Sequence, residues 1–127
     1  MEVMIGKTYQ KIMSEHEEQS LFVHWFRLKY PKLKEALFAI PNGGHRHIRV
    51  AISLKKEGVV PGVSDMFLMV PRETFHGAFI EMKTKKGRLS DKQKKFLAFA
   101  ESMGYKPIIG YGYSDVINKV EDYLNLS

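Results

Sequence analysis

The chain has 127 residues, no cysteine, and 20 Lys and Arg against 14 Asp and Glu, a net charge of +6. That length suits one domain (1–127) with its own apolar core, and the lack of cysteine excludes a disulfide framework and a thiolate metal site. No apolar run approaches the length of a membrane span, and Met1-Glu2-Val3-Met4 lacks a signal pattern, so a reducing, cytoplasmic setting is expected; the positive balance favours an anionic partner such as nucleic acid.

In chain order, residues 1–13 have no clear period and are expected to form a loose arm. A helix is predicted from Ser14, an N-cap followed by Glu15, Glu17 and Glu18, with Arg27 and Lys29 in its last turn to complement the macrodipole. Tyr30-Pro31 ends it. Leu21, Phe22, Trp25, Phe26 and Leu28 are expected on its buried side, with Glu18 near the middle of that stripe and Glu15 at its edge. An acid aimed at a core is costly unless it is paired or bound to a metal.

Leu37-Phe38-Ala39-Ile40 reads as a strand stopped by Pro41-Asn42-Gly43-Gly44. The cluster His45, Arg46, His47 and Arg49 then leads into a helix with Ile48, Ala51, Ile52 and Lys55 in period and Gly58 just beyond its end. His-x-His residues do not share a helix face, so a zinc site is disfavoured and contact with phosphates is the functional expectation.

Two short apolar runs, Val63–Val70 and Ala78–Lys83, read as an antiparallel pair. Asp65 opens the first, and Glu81 with Lys83 closes the second. Alternation puts Glu81 and Lys83 on one face, and antiparallel pairing brings Asp65 within about 5 Å of Glu81. Two carboxylates that close repel unless a cation intervenes, and a hard divalent ion such as Mg²⁺ meets that need. Beyond the basic loop Lys85-Lys86-Gly87-Arg88, Ser90 and Gln93 have capping-box spacing, and Phe96, Phe99, Ala100 and Met103 form the stripe of the next helix. Pro107–Tyr111 reads as a last buried strand, and Ser114-Asp115 as the cap of a last helix carrying Val116, Ile117, Val120, Tyr123 and Leu124. The expected fold class is α/β, a mixed sheet flanked by helices.

Pro61-Gly62-Val63-Ser64-Asp65, Glu81-Met82-Lys83-Thr84, Gly87-Arg88-Leu89-Ser90 and Gln93 together resemble the PD-(D/E)XK nuclease pattern, in its VRR-NUC branch, over residues 14–112. One departure is Ser64, which stands where the pattern has proline. The resemblance implies a restriction-endonuclease-like core and hydrolysis of DNA phosphodiesters with Mg²⁺ or Mn²⁺. Asp65, Glu81, the Met82 carbonyl and a glutamate of the first helix would hold the ion. For that glutamate the resemblance selects Glu15, four residues before Gln19, whereas helix periodicity prefers Glu18; both stay open. Lys83 would position or deprotonate the attacking water, or stabilise charge in the transition state. Gln93 would orient the lysine or a water, complete its capping box, or do both. His45, Arg46, His47, Arg49, Lys85, Lys86 and Arg88 would contact DNA. Compact virus-type domains of this sort resemble Holliday-junction resolvases, which implies branched DNA, a homodimer with twofold symmetry and no small-molecule cofactor. The alternatives are a non-catalytic nucleic-acid-binding module and a metal-dependent nuclease on other DNA or RNA.

Overall fold

The computed structural model describes residues 13–41 and 49–127 in full, and the backbone of Ile48 and of two strands near the start of the chain. Those strands, β1 (Glu2–Ile5) and β2 (Thr8–Lys11), pair antiparallel, so the expected loose arm contains a regular two-stranded ribbon. Helix α1 (Glu15–Lys29) starts as its sequence dictates: the Ser14 hydroxyl accepts the Glu17 N–H at 3.1 Å. It ends at Tyr30, and Pro31 opens a 3₁₀ helix over Pro31–Ala36. There follow β3 (Leu37–Ala39), α2 (Ile48–Lys56), β4 (Met66–Leu68), β5 (Ala78–Lys83), α3 (Asp91–Ser102), β6 (Lys106–Tyr111) and α4 (Tyr113–Leu124).

Strands β3, β4, β5 and β6 form one sheet in that order. The first two pairings are antiparallel and the last is parallel, with α3 making the crossover that a parallel pair requires. This is the mixed, helix-flanked α/β architecture expected from the sequence.

Alternation puts Ala78, Ile80 and Met82 on one face of β5 and Phe79, Glu81 and Lys83 on the other, where Glu81 is buried as well. Ala78, Ile80 and Met82 are fully buried in a core with Met66, Leu68 and Ile108, together with Phe22 and Phe26 of α1 and Val116, Val120 and Tyr123 of α4. At Gly110 even a methyl group would lie 2.4 Å from the Val116 Cβ, so only glycine lets α4 close onto β6. On the other face Phe67 and Phe79 lie tilted against each other and both meet Tyr105 edge-on, and Phe79 also meets Phe96 of α3 edge-on.

Four sequence expectations change. The run Val63–Val70 is strand only over Met66–Leu68, because the Asp65 carboxylate takes the Met82 N–H at 2.6 Å in place of a backbone partner and the ladder stops there. On α1, Leu28 is 70 % exposed and Leu21 is also exposed, so the buried stripe centres on Phe22 and Phe26. On α3, Phe99 and Met103 are exposed while Leu97 and Ala100 are buried, since the apolar arc is wider than the line that meets the sheet. Helix α4 has no cap from Ser114 or Asp115; its N-cap is Gly112, at φ +88°, and Asp115 instead accepts the Tyr111 N–H at 2.8 Å.

That contact helps close the β6 edge. Pro107 has no N–H, Asp115 occupies the Tyr111 N–H, and the Lys119 ammonium donates to the Ile109 carbonyl at 2.6 Å while pairing with Asp115 at 2.9 Å.

The buried Tyr123 hydroxyl donates to the Val70 carbonyl at 2.6 Å, and burial pushes its pKa up. Tyr123→Phe leaves that carbonyl unpaired, and urea unfolding should give a loss of about 1–3 kcal/mol with the m-value unchanged.

Candidate metal centre

Three elements converge just before the start of β4. Asp65 precedes that strand, Glu81 lies on β5, and Glu15 is the first residue of α1. Their carboxylates offer oxygens that all lie within 4.8 Å of one another. With Leu28 and Leu21 outside, the buried stripe of α1 runs through Phe22 and Phe26, seven and eleven residues beyond Glu15. Glu15 therefore shares that face and reaches the cluster.

Glu18 does not join it. Its carboxylate accepts the Tyr113 N–H and so caps α4 from another helix. A methyl group at Gly112 would come within 3.0 Å of the Glu18 Oε2, which with the positive φ makes glycine necessary there.

Glu81 is 1 % exposed. Burial pushes its pKa up to about 9, and the hydrogen bond and negative charge of Asp65 push the same way, against the pull of the Lys83 ammonium. Glu15 is also raised, chiefly by burial. Such a cluster holds a proton among its oxygens when no cation is present. Gln93 completes the capping box of α3 with Ser90 and donates its amide to the Glu81 Oε2 at 3.3 Å. The capping box forms as the spacing of Ser90 and Gln93 predicts, and the Gln93 amide meets Glu81 rather than Lys83. The other oxygen, Glu81 Oε1, is buried with no hydrogen-bond partner, as is the Ser64 hydroxyl beside Asp65.

A divalent ion fits these residues. The donors are hard carboxylate oxygens, as Mg²⁺ and Mn²⁺ prefer. Octahedral ligands at about 2.0–2.1 Å lie about 3–4 Å from one another, within the span of the cluster. The orphaned Glu81 oxygen supplies an unsatisfied acceptor. Since N–H and C=O of one strand residue point to the same side, the Met82 carbonyl turns toward Asp65 along with its N–H, where β4 no longer pairs.

Lys83 follows on the Glu81 face, half-buried and without an ion pair to Glu81. Tyr111 stands opposite Lys83 in the β5–β6 register and is exposed, so it borders the site. The sequence reading passed it over, although the alternation Pro107, Ile109, Tyr111 carries the signal. Lys85, Lys86 and Arg88 are exposed on the turn after β5. Arg49 is exposed on α2, and His45, Arg46 and His47 lie outside the described residues.

A search of curated proteins found no match. Among solved structures, a VRR_NUC domain protein is similar over 93 % of this chain and 93 % of its own, with a TM-score of 0.82 and 24 % identity, a likeness that concerns the fold. The family model of the VRR-NUC domain matches residues 3–112, nearly the whole chain, and the protein accordingly belongs to the VRR-NUC domain family, a nuclease-type fold.

Proposed function

We propose that the chain, acting as one domain, is a Mg²⁺- or Mn²⁺-dependent endonuclease that hydrolyses DNA phosphodiester bonds in branched substrates, four-way junctions above all. The observation that carries this reading is the meeting of three carboxylates from three separate elements around a buried, unpaired glutamate oxygen, beside a lysine and a basic turn. A module that only bound phosphate would be hindered by such an acidic cluster.

Asp65, Glu81, Glu15 and the Met82 carbonyl would hold the ion, which when bound supplies an acidified water and neutralises charge on the phosphate. The chain does the rest. The Met82 N–H fixes Asp65, and Gln93 steadies Glu81. Lys83, on the face of Glu81, orients the attacking water, takes its proton or offsets charge on the phosphate oxygens. Lys85, Lys86 and Arg88, with Arg49 and the His45–His47 segment, hold flanking phosphates, which positions DNA without reading its sequence. Selectivity then comes from the shape of the substrate, and cutting both strands of a junction calls for a homodimer with twofold symmetry.

Asp65→Asn and Glu81→Gln should abolish cleavage while DNA binding persists, and Lys83→Ala should slow turnover by about 10²-fold or more. Glu15→Ala should lose both cleavage and metal affinity. Glu18→Ala should instead lose about 0.5–2 kcal/mol of stability, as a missing helix cap does, and keep its turnover. Near-normal metal-dependent cleavage by both Asp65→Asn and Glu81→Gln would sink the assignment.

The raised Glu81 pKa links metal, pH and stability. Below the ordinary value of 4.5 the group is protonated in both the folded and unfolded chains; above it the unfolded chain releases a proton that the fold retains up to about 9. The stability of metal-free protein should therefore fall as pH rises across that window. Added Mg²⁺ should raise the melting temperature more at pH 9 than at pH 5. Glu81→Gln should flatten both trends, and a pH-independent melting curve in EDTA for the unaltered chain would contradict the assignment.

Cleavage of an immobile four-way junction should exceed that of its linear duplex arms, with a solution mass twice that of the chain. Equal cutting by a strict monomer would defeat the junction reading and leave the nuclease reading intact.

A further inference from the structure

The acids of the first turn of α1 are all committed. Glu15 joins the carboxylate cluster, Glu17 faces the Ser14 hydroxyl, and Glu18 caps α4. What they leave along the flank of the helix is a stripe of donors. His16, Gln19, Ser20, Val23, His24 and Arg27 line a shallow hollow of about 310 Å³, with no acid among them. Their spacing of three and four residues puts them on one arc, beside the buried arc of Phe22 and Phe26. Among the described residues, none of the five polar side chains makes a hydrogen bond or ion pair with another, whereas Lys29 on the same helix is paired with Glu121.

We propose that this stripe is a second phosphate-binding track, which takes the sugar-phosphate backbone of a nucleic-acid strand where it leaves the carboxylate cluster. The proposal rests on the nuclease reading and adds a surface to it. The track begins at His16, the residue after Glu15 in the first turn of α1, so the two surfaces start at the same end of the helix on neighbouring arcs, about 100° apart around its axis. From His16 to Arg27 the helix rises about 16 Å, at about 1.5 Å per residue, the length of four or five nucleotide steps at about 3.4 Å each. Arg27 supplies the fixed charge and a forked donor suited to phosphate, while the imidazoles, amide and hydroxyl supply further donors of the kind that hold phosphate oxygens. The acidic cluster at one end keeps phosphates out except where a cation bridges them. The acid-free stripe carries no such barrier.

The test uses the full chain, a fluorescently labelled four-way junction and its duplex arm, with binding measured in Ca²⁺ across a salt series. Arg27→Ala should flatten the log–log salt slope by about 0.9, roughly an eightfold loss of affinity at 0.1 M salt. Arg27→Glu should lose more, Arg27→Lys should recover most of the slope, and the triple variant His16→Ala, Gln19→Ala, His24→Ala should weaken binding with the slope nearly kept. In cleavage assays KM should rise more than kcat falls. Melting temperatures identify any variant whose loss is one of folding, and Arg27→Lys against Arg27→Glu then separates charge from packing. A chain that cleaves the junction, but whose well-folded Arg27→Glu form binds with an unchanged slope and KM, overturns the track alone. A chain that neither binds nor cuts nucleic acid overturns the track and the nuclease reading together.

Discussion

A carboxylate buried in the middle of a sheet strand is the constraint on which the rest of this structure depends. Glu81 follows Ile80 and precedes Met82, both fully buried, and is itself almost wholly removed from water. Ionising it there is costly, and the fold surrounds it with what lowers or redirects that cost: a lysine two residues on, a glutamine amide from α3 and two further carboxylates that would share a cation. The order of the elements follows from supplying those groups. The strand ladder yields at Asp65 so that the side chain can hold Met82, α3 starts with a capping box whose glutamine does a second task, and α1 delivers its first residue to the same corner.

Much of this was legible in the sequence. The two short apolar runs led to the β4–β5 pairing, and that pairing to the approach of Asp65 and Glu81, while the caps at Ser14 and Ser90 gave the starts of α1 and α3. Periodicity erred where it counted apolar residues without knowing which arc meets a neighbour. Leu28, Phe99 and Met103 belong to an apolar stripe in sequence and to the surface in space. The same error moved the apparent centre of the α1 stripe toward Glu18. Once Phe22 and Phe26 define the centre, Glu15 is the acid on the core side.

The destination of Glu18 had no local signal, because its partner lies 95 residues away at the start of α4. Gly112 is the trace that such a contact leaves in the chain. A residue with no side chain and a positive φ makes room for a carboxylate from another helix, and the motif of Gly112 followed by Tyr113 reads as an ordinary turn until α1 is folded against it. Tyr111 was overlooked for a different reason. Strand reasoning looked for what β6 buries, whereas this residue matters for what the strand leaves at the surface beside Lys83.

The closed edge of β6 constrains how copies of the chain can meet. A continuous sheet running from one molecule into the next through β6 would need Pro107 to offer a donor it does not have, and would have to strip Asp115 from Tyr111 and Lys119 from Ile109. Backbone ladders are indifferent to side-chain identity, so an open edge pairs promiscuously, with partially unfolded chains as readily as with a proper partner. Sealing this edge shifts the choice of neighbour to side-chain surfaces, where shape and charge discriminate. At β6, then, contact between copies of the chain has to be made through side chains rather than through a shared backbone ladder.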